Sequence, residues 1–109
     1  MIAKTNSASV LGIDAHPVYV EVDISIGLST FKIVGLPDGT IKESRDSVTA
    51  AITNSGFNFP VRRIVVNLAS AALRKIGSVF DLPIALALLG ALRYFPEQVM
   101  EKVMVFGEL

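Results

Sequence analysis

The chain has no cysteine, which excludes disulfides and any cysteine-ligated metal site. It has a single histidine, His16, which argues against a histidine-based zinc site, and no metal ligands are expected. Neither charge is in excess, because ten Lys and Arg face ten Asp and Glu. A balanced chain makes no global electrostatic case for nucleic acid, though it leaves room for a local basic patch. No apolar signal core follows Lys4, since Thr5-Asn6-Ser7 comes next. The longest apolar run, Leu82–Leu92, falls short of the roughly 20 residues a membrane span needs. A cytoplasmic protein with no membrane partner is therefore expected. None of the eight glycines precedes a lysine, so the GxxxxGK[ST] loop that cradles phosphate is missing.

The residues present favour a packed domain. An apolar share of 51% argues against disorder. A chain of 109 residues suits one domain and buries about two-thirds of its unfolded surface.

Phe31–Phe57 organises the rest. Phe31, Ile33 and Val34 suit a strand, and Gly35-Leu36-Pro37-Asp38-Gly39 interrupts it. Thr40-Ile41-Lys42-Glu43 fits a capping box, with Asp38 as a rival N-cap. Ile41, Val48, Ala51 and Ile52 then recur at helical spacing. Asn54-Ser55-Gly56-Phe57 is a stop signal, with Gly56 at the left-handed position of a Schellman motif and Phe57 folding back onto Ile52.

Upstream, Ser9–Ala15 and Val18–Ile24 read as a hairpin joined through Asp14-Ala15-His16-Pro17. Val18, Val20, Val22 and Ile24 alternate with polar or aromatic residues, a period of two with one face buried. Thr30–Val34 would complete an antiparallel meander. Downstream, the apolar run Arg63–Leu68 suits a sheet centre covered on both faces. Asp81 is expected to cap an apolar helix over Leu82–Tyr94, Pro96–Lys102 to add one helical turn, and Val103–Phe106 to form a last strand. The expected fold class is α+β: a two-layer, mixed β-sheet with helices packed mainly on one face and a βαβ crossover through residues 30–68.

Several of these residues carry a family resemblance. Ile33-Val34-Gly35-Leu36-Pro37-Asp38, Lys42-Glu43-Ser44-Arg45-Asp46, Asn54-Ser55-Gly56-Phe57, Arg62-Arg63-Ile64, Asn67-Leu68-Ala69 and Phe80-Asp81-Leu82-Pro83-Ile84-Ala85-Leu86 occur in order. Together they resemble the N-terminal domain of the magnesium-chelatase-like competence ATPases of ComM/YifB type. The resemblance implies a fold similar to the Lon-protease catalytic domain, shared with a small-subunit ribosomal protein. It implies that residues 1–109 form one Lon-like N-terminal domain, truncated on its C-terminal side, with an AAA+ ATPase module beyond it. The alternative is a naturally short protein that completes its sheet by pairing with another chain. The match departs in the loop after Leu68, where a family pattern of NLAPADLRKEG meets Ser70, Ala72 and Ile76 here.

The functional expectation is a non-catalytic domain of a ring-forming DNA-processing motor of natural transformation. ATP and Mg are expected only in the ATPase module. Partners would be that module, neighbouring subunits of a homo-oligomer, and DNA. Lys42, Glu43, Arg45 and Asp46 form a dense charged turn and are the docking-surface candidates. Arg62, Arg63, Arg74 and Lys75 are the nucleic-acid candidates, because phosphate favours Arg and Lys without sequence selection. A stand-alone nucleic-acid-binding module of the same fold is the alternative function. A Ser/Lys peptidase relative is the weaker one: Ser78 falls near the serine loop of the resembled protease, but Lys102 is the only later lysine. His16 is read as a hairpin residue.

Overall fold

The computed structural model describes residues 1–11, 14–69, 80–96, 98–101, 103–105, 107 and 109, with backbone alone for 9–11 and 14–16. The elements are β1 (Ile2–Leu11), β2 (Asp14–Ser25), β3 (Thr30–Val34), α1 (Asp38–Asn54), β4 (Arg63–Ala69), α2 (Asp81–Ala91) and α3 (Gln98–Glu101). The four strands form one mixed sheet in the order β1-β2-β4-β3. β2 is antiparallel to both β1 and β4, while β3 runs parallel to β4. Strand β3, helix α1 and strand β4 are therefore the βαβ crossover.

The period of two in β2 places Val18, Val20, Val22 and Ile24 in the core. Across the sheet, Ile64, Val66 and Leu68 of β4 meet them in register. Ser44, Val48 and Ile52 of α1, spaced four apart, turn inward. From α2, Ile84, Ala85, Ala87, Leu88 and Ala91 close the same core. Both long helices thus cover one sheet face, giving two layers. The mean hydropathy of α2 hides no amphipathic stripe, because this helix is apolar nearly all round.

The ends of the helices depart from the sequence reading at the start and agree with it at the stop. Helix α1 begins at Asp38, with Pro37 as its N-cap and no side-chain cap. The Thr40 hydroxyl donates to the Pro37 carbonyl at 2.9 Å, which takes it out of the expected capping box. At the other end Gly56 has φ 93°. Its N–H donates to the Thr53 carbonyl, and the Phe57 N–H to that of Ile52, at 3.1 and 3.2 Å. This is the expected Schellman motif. Phe57 packs onto the core and meets the Tyr94 ring edge-on at 4.7 Å. Helix α2 is preceded by Phe80 as N-cap, so Asp81 lies in its first turn instead of capping it. It ends three residues before Tyr94, where Arg93 takes a left-handed φ of 67°.

Four further expectations are corrected. The first three strands are not a meander, since β4 inserts between β2 and β3. The hairpin is longer and displaced: β1 starts at Ile2, and Pro17 lies within β2 opposite Ala8. Strand β4 is central but covered on one face only, because Asn67 is exposed and Val65 half-buried. Among the described residues the last segment makes one parallel bridge, Asn6 to Met104, where a strand over Val103–Phe106 was expected. It is tied down by the Val105 N–H on the Asn6 carbonyl at 2.7 Å and by the Leu82 N–H on the Gly107 carbonyl at 3.0 Å. The expected turn after Pro96 is present as α3.

Candidate docking surface

Helix α1 carries the charged turn on its outer side. The Lys42 ammonium donates to an Asp46 carboxylate oxygen at 2.8 Å, an exposed pair one helical turn apart. That hydrogen bond and the charge of Lys42, helped by Arg45, hold the Asp46 carboxyl below the ordinary aspartate range. Glu43 is exposed beside them. Arg45 leaves this group: its guanidinium donates to the Phe31 carbonyl on β3 at 3.3 Å and is half-buried. Thus the four candidates share a helix, but one of them faces the strand edge.

The basic candidates divide likewise. Arg62 and Arg63 are exposed at the start of β4. Arg74, Lys75, Ser78 and Lys102 lie outside the described residues. Arg63 and Ala69 stand at opposite ends of β4, about 20 Å apart at the usual strand rise. On the uncovered sheet face Arg63 shares the surface with Asp23, Glu21, Lys4 and Lys32, so that face carries both signs. One pair there is an ion pair, Lys4 with Glu21 at 3.5 Å.

A feature the sequence reading passed over lies at the same end of the sheet. β2 ends at Ser25 and β3 begins at Thr30, yet both pair with Arg63. The Ile26–Ser29 turn must therefore arch across the entry of β4. The Thr30 N–H donates to the Arg62 carbonyl at 3.2 Å, closing the arch. Gly27 sits over the Arg63 side chain, with a Cβ position 3.5 Å from the Arg63 Cβ. At this tip Ile26, Leu28 and Val61 are 87%, 86% and 80% exposed. Turns ordinarily carry polar residues, so aliphatic side chains at a turn were the available signal. Grouped exposed apolar side chains rimmed by charge mark interaction surfaces.

A cavity of about 330 Å³ lies between β1 and the α2–α3 end, floored by Ala3, Ala87 and Gly90 with Lys4 and Arg93 in its wall. Among the described residues its lining includes no carboxylate, histidine or serine.

The Gly35–Thr40 turn packs closely against β4 at its first residue. The Leu68 carbonyl oxygen lies 2.6 Å from the position of a Cβ added at Gly35. The first turn of α1 brings Asp38, a negative charge, to the helix start. Among the described residues no three His, Cys, Asp or Glu side chains come together as a metal site. No helix among them is long and apolar enough to cross a membrane.

Residues 20–109 match the family described as subunit ChlI of Mg-chelatase. The protein YifB of Escherichia coli (strain K12) is 45% identical over 108 residues, which cover 99% of this chain and 21% of that protein. YifB of Salmonella typhimurium gives the same identity and coverage. Competence protein ComM of Haemophilus influenzae is 46% identical over 90 residues, 83% of this chain and 18% of that protein. The chain thus spans about a fifth of the length of these relatives.

Proposed function

Since the chain belongs to the family of the ChlI subunit of Mg-chelatase, we propose that it is a non-catalytic docking domain of a magnesium-chelatase-like ATPase. ATP and Mg belong to a separate motor module in this reading. The domain holds that module and neighbouring subunits of a homo-oligomer in place, in the service of DNA processing of the kind the name competence protein implies for ComM. The observation that carries the reading is the tip: Ile26, Leu28 and Val61 stand in solvent at one end of a well-packed sheet. Burying three such side chains in an interface contributes about 1.5–3 kcal/mol each before the costs of association. Arg62 and Arg63 beside them add specificity, or contact to a phosphate backbone, at the rim.

The test is replacement of Ile26 and Leu28 by Asp in a full-length family protein carrying this domain. Sedimentation then reports assembly, and ATP turnover reports the motor. Loss of assembly with the monomer still folded supports docking through the tip. Assembly at the unmodified concentration dependence refutes it. ATP hydrolysis by the purified 109-residue chain would refute the non-catalytic assignment. DNA contact is tested separately by the salt dependence of binding in Arg62→Ala and Arg63→Ala chains.

A further inference from the structure

Strand β3 has β4 on one side and no strand on the other among the described residues. Its Thr30 N–H bonds toward β4, on the Arg62 carbonyl. In a parallel ladder alternate residues turn both backbone groups to the same neighbour. Phe31 and Ile33 therefore present theirs to the open side. The Arg45 guanidinium confirms that direction, since it reaches the Phe31 carbonyl from α1 and not from β4. That leaves the Phe31 N–H and both groups of the buried Ile33 without a backbone partner among the described residues.

Between this edge and α1 runs an open groove of about 610 Å³, lined by Phe31, Ile33 and Ile41, with Lys32 and Arg45 as its charged members among the described residues. Phe31 and Ile41 pack partly on the core, and Phe31 lies 5.5 Å from the Phe59 ring. The floor is thus apolar and both charges are positive.

We infer that the β3 edge binds an extended acidic peptide segment of a partner protein, which adds as a further strand. Its apolar residues lie opposite Phe31 and Ile33 on the helix side. Its acid lies opposite Lys32 on the uncovered face, where directly facing opposite charges are favourable. A second carboxylate takes the Arg45 guanidinium as the incoming strand displaces it from the Phe31 carbonyl. Main-chain bonds supply affinity and the alternating side chains selectivity, as in other strand additions. A second copy of this chain fits poorly: the antiparallel register that uses both Phe31 and Ile33 sets Lys32 against its own copy, a like-charge pair. This inference needs only the edge and is independent of the tip.

The experiment uses the 109-residue chain and a fluorescent seven-residue peptide of alternating valine and glutamate. Anisotropy measures binding, and amide exchange by NMR locates it. Binding with added protection of the Phe31 and Ile33 amides is expected. Lys32→Glu with Arg45→Glu should weaken it at least tenfold, and a valine–lysine peptide should bind that double variant better than the original chain. A peptide N-methylated on its bonding edge should lose binding without any change to the protein. No binding, binding without protection at Phe31 and Ile33, or equal affinity for the lysine peptide would overturn the inference. Protection of those two amides by self-association, with no peptide present, would overturn it in favour of the second copy.

Discussion

Three glycine-to-alanine changes separate two physical effects that usually arrive together. Gly35 leaves β3 with φ 103°, and an added Cβ would stand 2.6 Å from the Leu68 carbonyl oxygen and 3.0 Å from the Leu68 Cβ. A left-handed backbone costs a non-glycine residue about 1–2 kcal/mol. Forcing a methyl into filled space adds about 1–3 kcal/mol, and here the obstacle is a β4 backbone atom that cannot rotate away. Gly35→Ala should therefore cost about 2–5 kcal/mol, a large part of the ~5–15 kcal/mol that holds a domain. Gly56 has nearly the same backbone, φ 93°, but nothing within 4 Å of its Cβ position. Gly56→Ala should show the backbone cost alone, about 1–2 kcal/mol. Gly39 sits in α1 with open space and no positive φ. Gly39→Ala should stabilise by about 0.4–1 kcal/mol, by narrowing the unfolded ensemble. Urea unfolding followed by circular dichroism reads all three. With a slope of about 1–3 kcal/mol per molar, Gly35→Ala should move the midpoint down by roughly 0.7–5 M. Equal losses for Gly35→Ala and Gly56→Ala would refute the claim that β3 leaves the sheet hard against Leu68.

Asp46 should titrate below the ordinary aspartate range in an NMR pH series, and Lys42→Met should return it toward that range. Its folded pKa is depressed, so its contribution to stability is present above the unfolded pKa and is lost as pH falls through the folded one; being exposed, it should also fade in 1 M salt. The Thr5 hydroxyl, fully buried, donates to the Pro83 carbonyl at 2.9 Å and ties β1 to α2. Thr5→Val keeps the shape and removes the donor, at an expected loss of about 1–2 kcal/mol by thermal unfolding. Ile26→Asp and Leu28→Asp, at the exposed tip, should change the stability of the isolated chain by less than about 0.5 kcal/mol, which separates their effect on docking from any effect on folding.

What was legible in the sequence was local. The stop at Gly56-Phe57 depends on residues adjacent in the chain, and it formed as expected. The Val18–Ile24 alternation is a property of one strand and fixed its buried face. The Lys42–Asp46 pair lies within one turn of one helix. What was hidden depended on partners far away. The first half of β1 buries Ala3, Thr5 and Ser7, too small and polar to announce a strand, and only β2 beside them makes one. In β4 the apolar Val65 falls on the uncovered face, so the run looked doubly buried where it alternates. Arg45 read as one charge among four, because its target on β3 lies fourteen residues away.

The strand order joins these points. A crossover through α1 returns the chain parallel to β3, and the returning strand can lie on either side of it. It lies between β3 and β2, where the apolar inner face of Ile64, Val66 and Leu68 gains a neighbour on both sides. Two consequences follow without further assumption. The β2–β3 connection, short in sequence, must now span the width of a strand, and it lifts Ile26 and Leu28 over the entry of β4 beside Val61. The strand displaced outward, β3, becomes the edge, with the backbone groups of Phe31 and Ile33 turned away from β4 and Arg45 covering part of the gap. Both proposed contact surfaces thus arise from one packing preference in β4. A substitution that weakened the β2–β4 register, such as Val66→Ala, should disturb the tip and the edge together, whereas changes confined to α2 should leave their relative geometry intact.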